Sequence, residues 1–137
     1  YALIAGQVGA APWVSNYNVP LEFTWRGPAL TAGERKDRAL SLGRAVAKRL
    51  SARGGGLPQV QAMALAHGDR TVEVACNLLD TAVSSASEVQ QATVSILAEA
   101  NPCGHLGAGA AVLARQGYFT NQTAESLIAA VDRQHTT

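Results

Sequence analysis

The fold is decided between residues 58 and 79, PQVQAMALAHGDRTVEVACNLL. In its second half Val72, Val74, Cys76 and Leu78 alternate with Thr71, Glu73, Ala75 and Asn77. A period of two puts the first set on one face of a strand and the second on the other. The first half, Pro58 to Ala66, also reads as a strand, with Gln59 and Gln61 marking its polar face. His67-Gly68-Asp69 lies between the two runs, and its glycine suits a tight reversal. The segment is therefore predicted to be an antiparallel hairpin with one face against a core and one face turned away from it.

Immediately upstream, Gly54, Gly55 and Gly56 end a helical pattern. That pattern opens at Thr31 with Glu34 three residues on, the signature of a capping box, and is expected to run to about Arg53. Ala39, Leu42, Gly43, Val46 and Leu50 recur at helical spacing and form its core stripe. Further back, Trp13 to Phe23 reads as a strand with Trp13, Ser15, Tyr17, Val19 and Leu21 on one face and Val14, Asn16 and Asn18 on the other. Pro20 is expected to mark its end.

Downstream of the hairpin, Ser85 and Glu88 form a second capping box. The helix they begin should reach about Asn101, with Val89, Ala92, Ile96 and Ala100 inward, before Pro102 blocks continuation. Ala108 to Ala114 is a strand candidate diluted by Gly107 and Gly109, and Tyr118 to Asn121 leads into a last helix with Ala124, Leu127, Ile128 and Val131 inward. The order β, α, β, β, α, β, α is that of an α+β domain of the ferredoxin-like, split βαββαβ kind, with both helices on one face of the sheet and one extra C-terminal helix. The first and third strands then lie side by side in the middle, and the face away from the helices presents Asn16, Asn18, Gln61, Glu73 and Asn77.

Composition agrees with one packed domain covering residues 1–137, since hydrophobic residues make up 47% and charged residues 15% of the chain. A formal net charge of +1 provides no global field toward nucleic acid or membrane. The apolar stretch Ala2 to Trp13, broken by Gly6, Gln7, Gly9 and Pro12, is too short for a membrane span. Opening on Tyr1, the chain is expected to be processed or trimmed at its start. Cys76 and Cys103 could form at most one bridge and have no neighbours at metal-ligand spacing, so a reduced intracellular compartment, cytoplasm or an organelle such as chloroplast or mitochondrion, is the expectation.

A face lined by carboxamides offers paired donors and acceptors that orient a planar heterocycle or another backbone without attacking it. GAAPWVSNYNVPL, RGGGLPQVQAMALAHGDRTVEVACNLLD and the later GYFT resemble the C-terminal subdomain of formiminotransferases, most closely plant and algal glutamate-formiminotransferase-like proteins, over about Gly9 to Thr120. The resemblance implies two related ferredoxin-like subdomains with a folate held between them, and transfer of a formimino group between glutamate and tetrahydrofolate. By motif it places Asn16 and Asn18 of SNYNVP, Gln61 of VQAMAL and Asn77 of ACNLL beside the cofactor cleft. The family's catalytic histidine belongs to an HPR-type motif of the N-terminal subdomain, and no such motif occurs in these residues. No catalytic residue is therefore assigned, and the expected partner is the N-terminal subdomain or another chain covering the open face.

Other chemistry is less well supported. His67 reads as part of a turn, His105 as part of a glycine-rich loop and His135 as tail, and none has a nucleophile or carboxylate pattern beside it. Gly54 to Gly56 runs from helix to strand, the reverse of a phosphate loop, and reads as a helix cap. Asn121-Gln122-Thr123 fits a glycosylation sequon but more simply supplies a helix cap. Arg35, Lys36, Arg38, Arg44, Lys48, Arg49 and Arg53 are seven of the 11 basic residues, and a solvated helix face or contact with a polyanion would each account for them. Base stacking on central-strand aromatics is disfavoured by an aromatic content of 5%. Two functions follow: the folate-binding half of a formiminotransferase-like protein, inactive alone, or a non-catalytic structural subunit of a large assembly such as an organellar one.

Overall fold

In the computed structural model the described residues are 14–27, 29–100, 106–107 and 109–120. The expected final helix, Trp13, Cys103, His105, His135 and the Asn121 sequon lie outside them. Strand β1 (Ser15–Thr24) leads to helix α1 (Ala32–Leu50), a single 3-10 turn (Ala52–Gly54), strands β2 (Val60–His67) and β3 (Thr71–Leu78), helix α2 (Ala86–Glu99), β4 (Ala111–Ala114) and the two-residue β5 (Tyr118–Phe119). The sheet order is β2-β3-β1-β4, every pairing is antiparallel, and β5 adds to β1 beyond the end of β4. This is the ferredoxin-like α+β arrangement that the alternating pattern predicts.

Both helices begin as the sequence requires. Thr31 accepts from the Glu34 amide at 3.1 Å while the Glu34 carboxylate accepts from the Thr31 amide at 3.2 Å, and Ser85 and Glu88 repeat the exchange at 3.2 and 3.3 Å. Each box satisfies two donors that a helix start leaves without internal partners. Alternation then sorts the strands. Tyr17, Val19, Leu21 and Phe23 of β1 and Val72, Val74, Cys76 and Leu78 of β3 are all buried, and they meet Ala39, Leu42, Val46, Ala47 and Leu50 of α1. Gly43 allows the helix to come this close, since a Cβ there would sit 2.5 Å from Val72 Cγ1 and 3.3 Å from Ala64 Cβ.

Three local expectations are corrected. Pro20 does not end β1, which continues to Thr24. Its carbonyl accepts from the Arg115 amide at 2.8 Å, and its missing N–H points to the same side, beyond the end of β4, where the Arg115 carbonyl accepts from Gln90 Nε2 at 3.0 Å instead. Helix α1 stops at Leu50 rather than Arg53, and the last expected turn tightens into the 3-10 turn. On α2 Val89 is buried and Ala92, Ile96 and Ala100 pack against the core as expected, but Thr93 and Leu97, not expected there, are its other buried residues. Thr93 reads as polar in sequence, but its hydroxyl donates to the Val89 carbonyl at 2.7 Å and so enters the core already satisfied.

Candidate functional site

The helix-free face is built from cross-strand rows. Asn16 of β1 lies opposite Asn77 of β3, and Asn77 lies opposite Gln61 of β2, so three of the four amides anticipated at a cleft form one row across three strands. The next row is Asn18, Ala75 and Met63, then Pro20, Glu73 and Leu65, then Glu22, Thr71 and His67. Directly opposed side chains on one face are neighbours, and diagonal ones are within reach when the residue between them is small. Ala75 is that small residue.

Asn16, Asn18, Gln61 and Asn77 all line a single shallow groove of about 510 Å³, with Ala62, Met63, Leu65, Ala75 and Thr120 completing its walls. The structure thus brings together every amide singled out from the sequence. The Asn77 amide donates to the Gln61 carbonyl oxygen at 3.4 Å. That contact uses one donor of Asn77 and one acceptor of Gln61, leaving the Asn77 carbonyl oxygen and the Gln61 amino group with capacity for a ligand. The Thr120 amide donates to the Asn16 carbonyl at 2.8 Å and holds the end of the groove against β1.

Beside the amides stands a polar cluster whose parts the sequence scattered. Glu73, with its side chain 13% exposed, accepts from Asn18 Nδ2 at 3.0 Å and from the Tyr118 hydroxyl at 2.5 Å, and its other neighbour is His67 Nε2 at 3.5 Å. Burial pushes the Glu73 carboxyl up, but the hydrogen bonds from Tyr118 and Asn18 and the nearby His67 outweigh it, and the group lies below the ordinary glutamate value. Conversely, the bond to Glu73 raises the Tyr118 hydroxyl. The sequence placed Glu73 on this face without a role. It gave Tyr118 none, because β5 is only two residues long. His67, expected in the turn, is the last residue of β2 and faces Glu73, although its side chain remains 58% exposed. Met63 and Leu65 also project from this face, so the first hairpin strand is mixed rather than polar beyond Gln61.

The remaining candidates resolve differently. The Cys76 thiol, in the core, is pushed up to about 12 by burial and holds no thiolate at neutral pH. The Gly54, Gly55 and Gly56 amides donate to Ser51, Ala52 and Ser51 carbonyls at 3.1, 3.1 and 2.9 Å, so this run closes the helix end and has no amide left to cradle a phosphate. On the basic helix, Arg35 bonds Asp69 at 2.6 Å and Arg49 bonds Glu99 at 2.5 Å, while Arg38 donates to the Leu106 carbonyl at 3.1 Å. Part of that charge is thus committed to holding the fold, while Lys36, Arg44 and Lys48 remain exposed on the helix surface. Among the described residues no group of three or more His, Cys, Asp or Glu could hold a metal ion, and no helix is long and apolar enough to cross a membrane.

No family model matches the chain. It is 38% identical over 121 residues, 88% of its length, to a formiminotransferase cyclodeaminase-like protein of Arabidopsis thaliana. The chain spans about a third of that relative, since the match covers 33% of it. The kinship implied by SNYNVP, VQAMAL and ACNLL is therefore shown: this is a formiminotransferase-related sequence.

Proposed function

From that kinship, we propose that the chain is the folate-binding half of a formiminotransferase-like protein, contributing one wall of a cleft that a second subdomain completes. The observation that carries this reading is the convergence of Asn16, Asn18, Gln61 and Asn77 on one groove of the helix-free face. A reduced pterin is a planar heterocycle with amide and amidine edges, and a wall of carboxamides meets such edges with donors and acceptors in fixed pairs. Ala75 leaves the middle of the groove low enough for a flat ring, and Met63 and Leu65 add apolar contact at one side.

Tetrahydrofolate would supply the amine that accepts the formimino carbon. The residues present here bind and orient. Asn18 is held by Glu73, the Gln61–Asn77 pair presents one acceptor and one amino group, and Glu73 remains an ionised acceptor at neutral pH. None of them is a nucleophile, and the Cys76 thiol is buried on the opposite face. In this proposal the acid–base chemistry belongs to the second subdomain, and this half is inactive alone. Calorimetric titration of the full-length protein with tetrahydrofolate is the test: a saturable heat is expected, and none would defeat the reading.

A second function draws on a different observation. Met63 is 58% exposed beside Leu65 on β2, and Tyr118, 45% exposed, lies across β3 and β1 on the same face, an apolar share that also suits a protein partner. A non-catalytic subunit docked by this face in a larger assembly would bury the amides against another chain. Isolation of the native protein separates the two: co-purification in a stoichiometric complex without folate affinity favours the structural subunit, and a free folate-binding protein removes it.

A further inference from the structure

Away from the amide groove, and sharing no lining residue with it, a pocket of about 200 Å³ lies between the β1–α1 connection and the segment leading into β4. We infer that this pocket is a binding site for a small oxyanion, the phosphate or carboxylate head of a ligand, held by Arg26, Arg35 and Arg38. The inference is independent of the folate reading.

All three guanidinium-bearing residues line the pocket, and no carboxylate does. Asp69, which pairs with Arg35 at 2.6 Å, lines the neighbouring hollow together with Glu22. Two of the arginines are fixed in place. Arg35 donates through Nε to Asp69 at 2.6 Å and through Nη1 to the Leu30 carbonyl at 2.7 Å, while Arg38 donates through Nη1 to the Leu106 carbonyl at 3.1 Å. A guanidinium carries five N–H donors, so Nη2 of Arg35 and both Nε and Nη2 of Arg38 keep donors for an anion. Arg26 is exposed and holds no hydrogen bond or ion pair among the described residues.

Glycines punctuate the backbone around these arginines. Gly27, Gly107 and Gly109 all have φ between +80 and +89°. A Cβ on Gly107 would lie 2.8 Å from Arg38 Nη1, and one on Gly109 would touch Arg26 Cβ at 3.7 Å. At Gly107, glycine keeps open the space beside the Arg38 guanidinium. Trp25, Leu30, Leu106 and Ala110 supply an apolar floor beside the guanidinium groups. The Trp25 indole is itself pinned, donating to the Asp69 carbonyl at 2.6 Å.

The test is calorimetric titration of the 137-residue chain with inorganic phosphate, and in a second arm with succinate, at fixed ionic strength against chloride. Saturable binding of either anion is expected, and the tighter one identifies the head group. Arg26→Ala, which breaks no internal bond, should weaken it about tenfold or more with an unchanged thermal midpoint in the absence of anion. Arg53→Ala, an exposed arginine outside the pocket, should bind as the unaltered chain does. Absence of binding beyond chloride, undiminished affinity in Arg26→Ala, or an equal loss in Arg53→Ala would each overturn the inference.

Discussion

Glu73 and Tyr118, 45 positions apart in the chain, share a 2.5 Å hydrogen bond across the helix-free face of the sheet. The bond joins β5 to the central strand β3 over the top of β1, and with Asn18 it makes a closed polar cluster beside the amide groove. Tyr118→Phe should therefore weaken the fold by about 0.5–1.5 kcal/mol, the net worth of one such bond, as read by urea denaturation. Loss of the groove's Thr120 end would accompany it, seen as faster exchange of the Thr120 amide, which bonds the Asn16 carbonyl.

The Glu73 carboxyl lies below its ordinary value in the folded chain, so the unfolded chain takes up the proton first as pH falls. The stabilisation is complete above the ordinary glutamate value of about 4.3 and is lost as pH drops through the lower folded value. Glu73→Gln removes this contribution. The difference in thermal midpoint between the two proteins should shrink below about pH 4. A pH-independent difference across the whole range would contradict the assignment.

Gly43→Ala should destabilise the protein by about 1–3 kcal/mol in urea denaturation, although alanine is the better helix former by about 1 kcal/mol. The added methyl would meet Val72 Cγ1 at 2.5 Å, and α1 would have to lift from the sheet. A more stable variant would show that the helix sits further out.

Leu21 is fully buried in the middle of β1, between Val72 of β3 and Ala114 of β4. Leu21→Ala should cost about 2–5 kcal/mol, since a transfer loss and an unfilled cavity add together. A midpoint in urea unchanged from the parent would contradict the core as described.

Much of this was legible in the sequence because the signals are local and mutually consistent. Thr31 with Glu34 and Ser85 with Glu88 fix both helix starts, and the run Val72 to Leu78 names its own buried face. Strand pairing follows once the order of elements is known, and with it the row Asn16, Asn77 and Gln61. What was not legible depends on partners distant in sequence. Pro20 is tolerated inside β1 because β4 ends beside it and Gln90 bonds the Arg115 carbonyl, facts no reading of VPLEF contains. Thr93 is buried because its hydroxyl turns back onto its own helix. Tyr118 and His67 meet Glu73 only through the register of three strands, and Arg26 and Arg38 share a pocket only because the chain returns at Leu106.

The account rests on the helix-free face being the wall that meets the ligand. Amide NMR spectra of the full-length protein during titration with tetrahydrofolate test this most directly. Saturating shifts are predicted at Asn18, Gln61, Met63 and Asn77, with the exposed residues of α1 such as Arg44 and Lys48 unmoved. Shifts confined to α1, with the four groove residues unchanged at saturation, would contradict it.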